Sequence, residues 1–201
     1  ILEAECGNDK EGLVGRLVLL GEKYSEIDRE ALKNLIVMLI FGGVDTTRSQ
    51  LGFLMALFAN NIDQWHALRE DISLVPSAIE ESIRAWPTTT WVTREAIETF
   101  VFDNVKILKG TILHMLVHSS SKDPKLGDFP VFDIKIKQKR HHGFGGGAHH
   151  CLGHLVARTD MAAALRALVS TFAEFKLLSQ AKYLPDSGNT SPQSLNLSFE
   201  I

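Results

Sequence analysis

The fold of this protein is decided by one stretch of its sequence, Phe144-Gly145-Gly146-Gly147-Ala148-His149-His150-Cys151-Leu152-Gly153. From Leu152 to about Phe172 apolar residues recur at helical spacing, so the stretch places a cysteine between a glycine-rich loop and a predicted helix. Unpaired amides and positive dipole potential at a helix start stabilise a cysteine thiolate, the form that binds metal. Such a thiolate suits the axial position of haem iron. The simpler interpretation is a flexible glycine loop with an incidental cysteine.

The composition is that of an ordinary globular domain. Of 201 residues, 45% are hydrophobic and 22% charged, which excludes the disordered, collagen-like and disulfide-scaffold classes. The formal net charge is −3, so nothing favours binding to nucleic acid. The longest apolar run, residues 35–44, is too short for a membrane span. The two cysteines, Cys6 and Cys151, form no disulfide framework, which favours a cytoplasmic protein.

Hydrophobic periodicity predicts a mainly helical chain, and the length and composition are those of a single domain over residues 1–201. Residues 88–117 are rich in Thr, Val, Ile, Phe and Trp, which predicts antiparallel strands with a turn at 103–104. A final hairpin is expected near residues 186–189. The other predicted helices cover residues 10–24 with a break near Gly21, a long segment from about 28 to 60, residues 63–74, and residues 76–86.

Two glycines, Gly42 and Gly43, fall inside the predicted long helix, where each costs about 1 kcal/mol relative to alanine. The two glycines are explained if the helix backbone is locally widened at this point, or if another group approaches the backbone closely. Asp45 and Thr46 then place an acid and an alcohol beside the gap, where they could relay protons to a bound oxygen species. A helix kink with a solvated Asp45, or a Thr46 hydroxyl that bonds back to its own helix, explains the pattern equally well.

A possible ion pair lies on the helix that begins near Pro76. Glu81 and Arg84 are three residues apart and share a helix face, so they can form a carboxylate–guanidinium pair. Glu80 lies four residues before Arg84 and competes as its partner. Taken alone, such a pair is usually at the surface and indicates little about function.

In this order, the Gly-Gly-x-Asp-Thr segment, the Glu-x-x-Arg segment and the cysteine loop resemble the cytochrome P-450 (P450) family of haem-thiolate monooxygenases. The resemblance is closest to the bacterial, soluble branch. It implies the C-terminal part of the P450 fold, which is mainly α, with a long central helix, a haem-thiolate loop before a late helix, and small antiparallel β-sheets. The family signature Phe-Gly-x-Gly-x-His-x-Cys-x-Gly is complete here, at Phe144, Gly145, Gly147, His149, Cys151 and Gly153.

The resemblance implies haem b as the cofactor, with Cys151 as the ligand of its iron and the other signature residues around it. Arg94 and His149 match positions that bond a haem propionate. For Arg94 the simpler interpretation is an exposed charge on a strand, and for His149 it is a loop histidine bonded to water.

The resemblance also assigns roles away from the loop. Asp45 and Thr46 match the acid–alcohol pair that guides protons to iron-bound dioxygen, and Glu81 with Arg84 matches a buried pair that holds the core under the haem. Residues 39–43, 88–92 and 194–197 match substrate-facing surfaces.

The implied activity inserts one oxygen atom of dioxygen into an apolar organic substrate, with two electrons from a redox partner such as a ferredoxin or flavoprotein. Basic residues ahead of the loop could dock an acidic electron donor, although a solvated strand edge explains them better. These residues are Lys135, Lys137, Lys139 and Arg140.

The sequence departs from the family in two places. Val131 stands where an arginine would complete a triad with Glu81 and Arg84. Family members are also far longer, and residues 13–20 match their eighth helix, so we expect the N-terminal half to be absent. The apolar stripe from Leu32 to Phe58 would then lose cover, and we expect self-association, pairing with a separate N-terminal fragment, or a truncated product.

Two alternatives to the monooxygenase stay open. The first is a truncated, non-catalytic P450 fragment that binds haem or a partner without turnover. The weaker one is a zinc site formed by His149, Cys151 and His154 with His141 or His142, since Cys and His are the usual zinc ligands.

Overall fold

The computed structural model describes residues 12–24, 27–126, 132–136 and 140–201, and its elements follow the order that the sequence predicts. The helices of these residues are α1 (Leu13–Lys23), α2 (Arg29–Asn60), α3 (Ile62–Glu70), α4 (Val75–Ala85), α5 (Val117–Ser120) and α6 (His154–Thr171). The strands are β1 (Trp91–Glu95), β2 (Phe100–Phe102), β3 (Val105–Ile107), β4 (Ile112–Leu116), β5 (Glu174–Leu177), β6 (Lys182–Tyr183), β7 (Pro192–Ser194) and β8 (Leu197–Glu200). Short 3-10 turns cover Ile72–Leu74, Pro124–Leu126 and Gly147–His149.

The described strands form small two-stranded antiparallel sheets, as predicted. β1 pairs with β4, with Trp91 opposite Leu116, and β2 pairs with β3 across the predicted turn. At that turn Asp103 and Asn104 have φ values of 46° and 64°, a left-handed conformation that Asp and Asn tolerate better than other side chains do. The C-terminal pairs are β5 with β8 and β6 with β7.

The long helix α2 has 32 residues, and polar side chains mark both of its ends. At the start, the Asp28 carboxylate accepts a hydrogen bond of 2.7 Å from the amide of Ala31. At the end, the amides of Asn60 and Asn61 each donate 2.8 Å hydrogen bonds, to the carbonyls of Ala56 and Leu57. Side-chain hydrogen bonds of this kind compete with the backbone bonds of a continuing helix, so the predicted stop is explained.

Two local predictions were wrong. Helix α1 continues through Gly21 to Lys23. The glycine is explained by packing, since a Cβ there would lie only 3.3 Å from the Leu32 side chain. The helix predicted over 63–74 ends at Glu70. There the Asp71 carboxylate accepts bonds from the Ser73 amide (2.9 Å) and hydroxyl (2.6 Å), which favours a 3-10 turn over the helix.

The chain divides into two compact units, Ile1–Asp45 and Thr46–Ile201, with the boundary inside α2. The expectation of one domain over 1–201 stays a prediction. The second unit contains a core to which α2, α3, α4, α6 and β5 contribute buried apolar residues. Trp65 is fully buried there, and its indole N–H donates to the Ala173 carbonyl at 3.1 Å. None of the described helices is long and apolar enough to cross a membrane.

Candidate active site

The cysteine loop is closed on itself by backbone hydrogen bonds. Gly145 and Gly147 have φ values of +71° and +67°, which glycine adopts at little cost. The amide of Cys151 donates to the Phe144 carbonyl at 2.9 Å, and the intervening turn Gly147–His149 is a 3-10 helix. Cys151 is a free, half-buried cysteine three residues before α6 begins at His154. The loop therefore presents a thiol close to a helix N-terminus, where negative charge is favoured.

A charged cluster beside the loop connects α4 with α6. The Arg158 guanidinium binds Glu80 with two nitrogens, Nε to Oε1 and Nη2 to Oε2, the latter at 3.0 Å. His141 Nε2 lies 3.0 Å from Glu80 Oε2. The centre of the guanidinium also lies 4.3 Å from the centroid of the Phe144 ring, within the range of a cation–π interaction. The bidentate pair thus fixes the arginine against the first residue of the loop.

The electrostatics of this cluster follow from its contacts. Burial raises the pKa of Glu80, but the hydrogen bonds and positive charges of His141 and Arg158 outweigh burial and hold it at about 2. The hydrogen bond to Glu80 raises the pKa of Arg158 against the opposing effect of burial, and the charges of Glu80 and Cys151 raise it further. Arg158 is therefore a permanent cation beside the cysteine loop.

Sequence reasoning missed Arg158 as a site residue and described Glu80 only as a competitor of Glu81. The competition does not occur, because Arg84 pairs with Glu81 and Glu80 pairs with α6. One signal was present: Arg158 follows the apolar run 155–157 directly, seven residues after Cys151.

The Glu81–Arg84 pair is in the interior of the second unit. Arg84 Nε and Nη2 donate to the two Glu81 oxygens at 2.6 Å each, and both side chains are only 3% exposed. Glu81 also accepts the amide of Asp133 at 3.1 Å, and Arg84 donates to the Ser121 carbonyl at 3.4 Å. The pair therefore joins α4 to two loop segments. Val131, at the position where an arginine would complete the triad with Glu81 and Arg84, lies outside the described residues.

The other predicted site residues lie on separate elements. In α2, Asp45 is exposed and Thr46 is half-buried. Arg94 is exposed on β1, where its guanidinium donates to the carbonyl of Thr93 at 2.8 Å, and His149 is exposed in the 3-10 turn. Their roles toward a cofactor stay predictions.

Helix α2 does not end at its glycine pair. α2 continues through Gly42 and Gly43, and a Cβ at either position would meet nothing within 4 Å in the described chain. Among the described residues, no neighbour therefore occupies the positions of these two missing side chains.

The zinc alternative finds no support in the structure. Among the described residues, which include all five of its proposed ligands, no group of three or more His, Cys, Asp or Glu side chains could hold a metal ion. His154 is bonded otherwise, since its Nδ1 lies 2.8 Å from Nη1 of Arg158.

The surroundings of Cys151 fit a haem. Leu152 is 81% exposed, and Leu155 and Val156 on the first turns of α6 are also exposed. A Cβ at Gly147 or Gly153 would meet nothing within 4 Å, so the loop leaves open space beside the thiol. A free thiol with apolar surface and open backbone around it is what a large, flat, apolar cofactor with a cysteine ligand requires.

Comparison with known proteins identifies the class to which this fold and site belong. The family model described as Cytochrome P450 matches residues 15–194. Luteothin monooxygenase of Streptomyces thioluteus is 34% identical over 176 residues, which are 86% of this chain and 43% of that protein.

Two solved structures are similar over almost the whole chain. The tirandamycin C-bound P450 monooxygenase TamI has a TM-score of 0.91 at 26% identity, over 98% of this chain and 50% of TamI. The cytochrome P450 PksS of Bacillus subtilis has a TM-score of 0.92 over 100% of this chain and 53% of its own. Its identity is 24%, so this likeness shows the fold alone.

The chain belongs to the cytochrome P450 family, whose proteins bind haem b. The predicted fold class, a partial P450 fold with small antiparallel sheets, is thereby confirmed. The chain spans less than half the length of luteothin monooxygenase and about half of the two solved structures.

Proposed function

We propose that this protein is a haem-thiolate monooxygenase that oxidises an apolar organic substrate. The observation that carries the proposal is the free, half-buried thiol of Cys151 in a complete signature loop, beside exposed apolar side chains. Family membership and relatives named as monooxygenases support the same activity.

Cys151 Sγ would hold the iron, and the loop residues Phe144, Gly145, Gly147 and Gly153 would lie around the sulfur. Bound haem supplies the iron at which dioxygen and two electrons and two protons are used to put one oxygen atom into the substrate and the other into water. The exposed cationic or hydrogen-bonding side chains of Arg94 and His149 would bind the haem propionates.

Side chains of the second unit contact and support the cysteine loop. The Arg158 guanidinium, bound to Glu80, packs against the ring of Phe144 at the start of the loop. The buried Glu81–Arg84 pair holds α4 to the segments that contain Ser121 and Asp133. A sulfur ligand held in this way needs little reorganisation when the cofactor binds, which is how preorganisation raises affinity.

Asp45 and Thr46 would handle protons. The Thr46 hydroxyl can donate a proton on one side and accept one on the other, so Thr46 Oγ1 would pass protons toward the reacting oxygen. The exposed Asp45 carboxylate would exchange protons with solvent and supply them to this route.

The electrons would come from a redox protein, a ferredoxin or a flavoprotein. Lys135 and Arg140 are exposed and offer positive charge to an acidic partner, while Lys137 and Lys139 lie outside the described residues. Self-association stays a further prediction, which exposed apolar residues of α2 support.

The test is an absorption spectrum of the purified protein, reduced and with carbon monoxide. We expect a strongly red-shifted Soret band in the wild type and in Cys6→Ser, and no such band in Cys151→Ser. If Cys151→Ser retains the band, Cys151 is not the ligand. If the wild type shows no haem absorbance after reconstitution with haem b, the proposed function is wrong.

The proton route has a separate test. Thr46→Ala is expected to consume reducing equivalents and dioxygen without forming product, while its neighbour Thr47→Ala keeps the two coupled. Product yield per NADH or NADPH, measured with a reconstituted redox partner, checks this. Equal coupling in the two variants would remove Thr46 from the route.

A second candidate function is a non-catalytic protein that binds haem or a partner without turnover. The observation that favours it is the exposed apolar face of α2, with Val37, Met38, Ile40, Phe41 and Val44 all open to solvent. A chain that shows the red-shifted band but no turnover with any electron donor would support this candidate over the first.

A further inference from the structure

A buried glutamine of α2 binds the segment that follows α4. Gln50 is 6% exposed, and its side-chain nitrogen donates to the Trp86 carbonyl at 3.0 Å and to the Ser82 hydroxyl at 3.4 Å. Its side-chain oxygen accepts from the amide of Thr88 at 3.0 Å and from the Thr88 hydroxyl at 3.3 Å. One amide group therefore joins α2 to the last turn of α4 and to the first residue after Pro87.

The orientation of this amide is determined by its partners. The Trp86 carbonyl can only accept and the Thr88 amide can only donate. If the Gln50 amide were flipped, its oxygen would face the Trp86 carbonyl and its NH2 group would face the Thr88 N–H. Both donor hydrogens and both lone pairs of the amide have a partner in the structure. Few side chains of other types could replace it, because the group must donate and accept at two fixed points.

The segment that Gln50 holds is also bonded on its other flank. The Thr88 carbonyl accepts the amide of Thr190 at 2.9 Å, and the Thr90 amide donates to the Gly188 carbonyl at 2.9 Å. The Thr90 hydroxyl donates to the Asp186 carboxylate at 2.6 Å. The segment 88–90 is thus held between α2 on one side and the loop between β6 and β7 on the other.

We infer that Gln50 is a positioning residue of the substrate pocket. It lies one helical turn after Thr46, on the same face of α2, and it fixes the segment 88–90 to the helix that carries Thr46. That segment is predicted to face the substrate, so Gln50 sets how far it lies from Thr46 and therefore which shapes of ligand fit. The pocket part of this inference rests on the proposed function, whereas the hold on the segment does not.

The hold on the segment is tested by amide hydrogen exchange in the full chain without haem. Gln50→Met keeps the length of the side chain but removes both donor and acceptor, so the Thr88 amide should exchange at least about tenfold faster. A global loss of stability also speeds exchange of the buried core amides around Leu54 and Leu68, so the increase at Thr88 should exceed theirs. Unchanged exchange at Thr88 would overturn the inference.

A matched control is Gln64→Met. Gln64 also binds a backbone amide through its side-chain oxygen, that of Ile134 at 3.0 Å, but at a distance from segment 88–90 in sequence and on another helix. It should affect Ile134 and leave Thr88 unchanged. Should Gln50→Met fail to fold, Gln50→Asn is the second variant, since its amide is one methylene too short to reach Trp86 and Thr88 together.

The pocket part is tested with two iron ligands of different size, imidazole and 4-phenylimidazole, by difference spectra of the haem-loaded chain. Gln50→Met should change the ratio of their Kd values about tenfold, because the phenyl group of 4-phenylimidazole needs room in the pocket that imidazole does not need. Gln64→Met should leave the ratio as in the wild type. A merely structural residue would weaken haem retention and both ligands alike, and an unchanged ratio in Gln50→Met would overturn the inference.

Failure of the proposed function has a different signature. A wild-type chain that gives no spectrum with imidazole has no accessible haem iron, which contradicts the proposed function and with it the pocket part of the inference. The exchange rate of Thr88 still decides whether Gln50 holds the segment.

Discussion

The two halves of α2 are both helical and both rich in apolar residues, yet their surroundings differ. In the second half, Phe53, Leu54 and Phe58 are fully buried in the core of the unit Thr46–Ile201. In the first half, Phe41 is 73% exposed, and its neighbours Val37 and Val44 are exposed as well. The comparison teaches that the apolar pattern of a helix shows which residues can be buried, whereas the rest of the chain decides which of them are.

Matched variants of the two units sharpen this contrast, because each residue of the first unit has a counterpart in the second. They run from the largest expected effect to the smallest, and each uses urea unfolding of the whole chain.

Phe58→Ala should destabilise the protein by about 3–5 kcal/mol, because it removes a fully buried ring and leaves a cavity. Phe41→Ala should change stability by no more than about 0.5 kcal/mol, since the ring is exposed. The free energies of unfolding measure the difference. Equal losses in the two variants would mean that the first half of α2 is covered in solution, for instance by self-association.

Arg84→Met should cost about 3–5 kcal/mol, because the buried Glu81 carboxylate is left without its cation. Its counterpart is Lys33→Met, which removes an exposed pair with Glu30 at 3.7 Å and should cost about 0.5 kcal/mol or less. A small effect of Arg84→Met would show that the Glu81 site is hydrated.

Glu80→Gln should make the free energy of unfolding depend less on pH in the acid range. The effect should be smaller than that of losing the buried Glu81–Arg84 pair. The pKa of Glu80 is held at about 2, below its ordinary value of 4.5, so its contribution is complete above pH 4.5 and is lost as pH falls toward 2. Between pH 5 and 2 the wild type should therefore lose more stability than Glu80→Gln does. Glu30→Gln, in the exposed pair of the first unit, should follow the wild type, and if Glu80→Gln does so too, the Glu80 cluster does not form in solution.

The smallest effects concern two glycines of α2. Gly43→Ala should stabilise the protein by about 1 kcal/mol, because a Cβ there meets nothing within 4 Å and alanine favours the helix. Gly52→Ala should gain less or lose stability, since its Cβ would lie 3.0 Å from the Pro192 ring. The comparison of the two halves fails if Gly52→Ala is the more stable variant.

Most of the fold was predictable, because it depends on short-range patterns. Helical spacing indicated α2 and α6, Pro76 and Pro87 marked the limits of α4, and the Asp103–Asn104 turn lay inside the stretch whose composition predicted strands. The two errors, at Gly21 and Asp71, came from a neighbouring helix and from a side-chain hydrogen bond. The site was predictable where a contiguous motif presented it, as in the Cys151 loop. Its support by Glu80, His141 and Arg158 was missed, since contacts across 61 and 78 residues leave no spacing signal.

The sequence by itself determined the family, because three motifs in order and a complete cysteine signature leave little else that the chain could be. Only the tertiary structure decided which carboxylate each arginine binds, Glu81 for Arg84 and Glu80 for Arg158. It also decided that Gln50 holds the segment after Pro87. The physical reason is that a motif records which groups a local backbone presents, while hydrogen bonds and burial depend on groups that come together only when the helices pack.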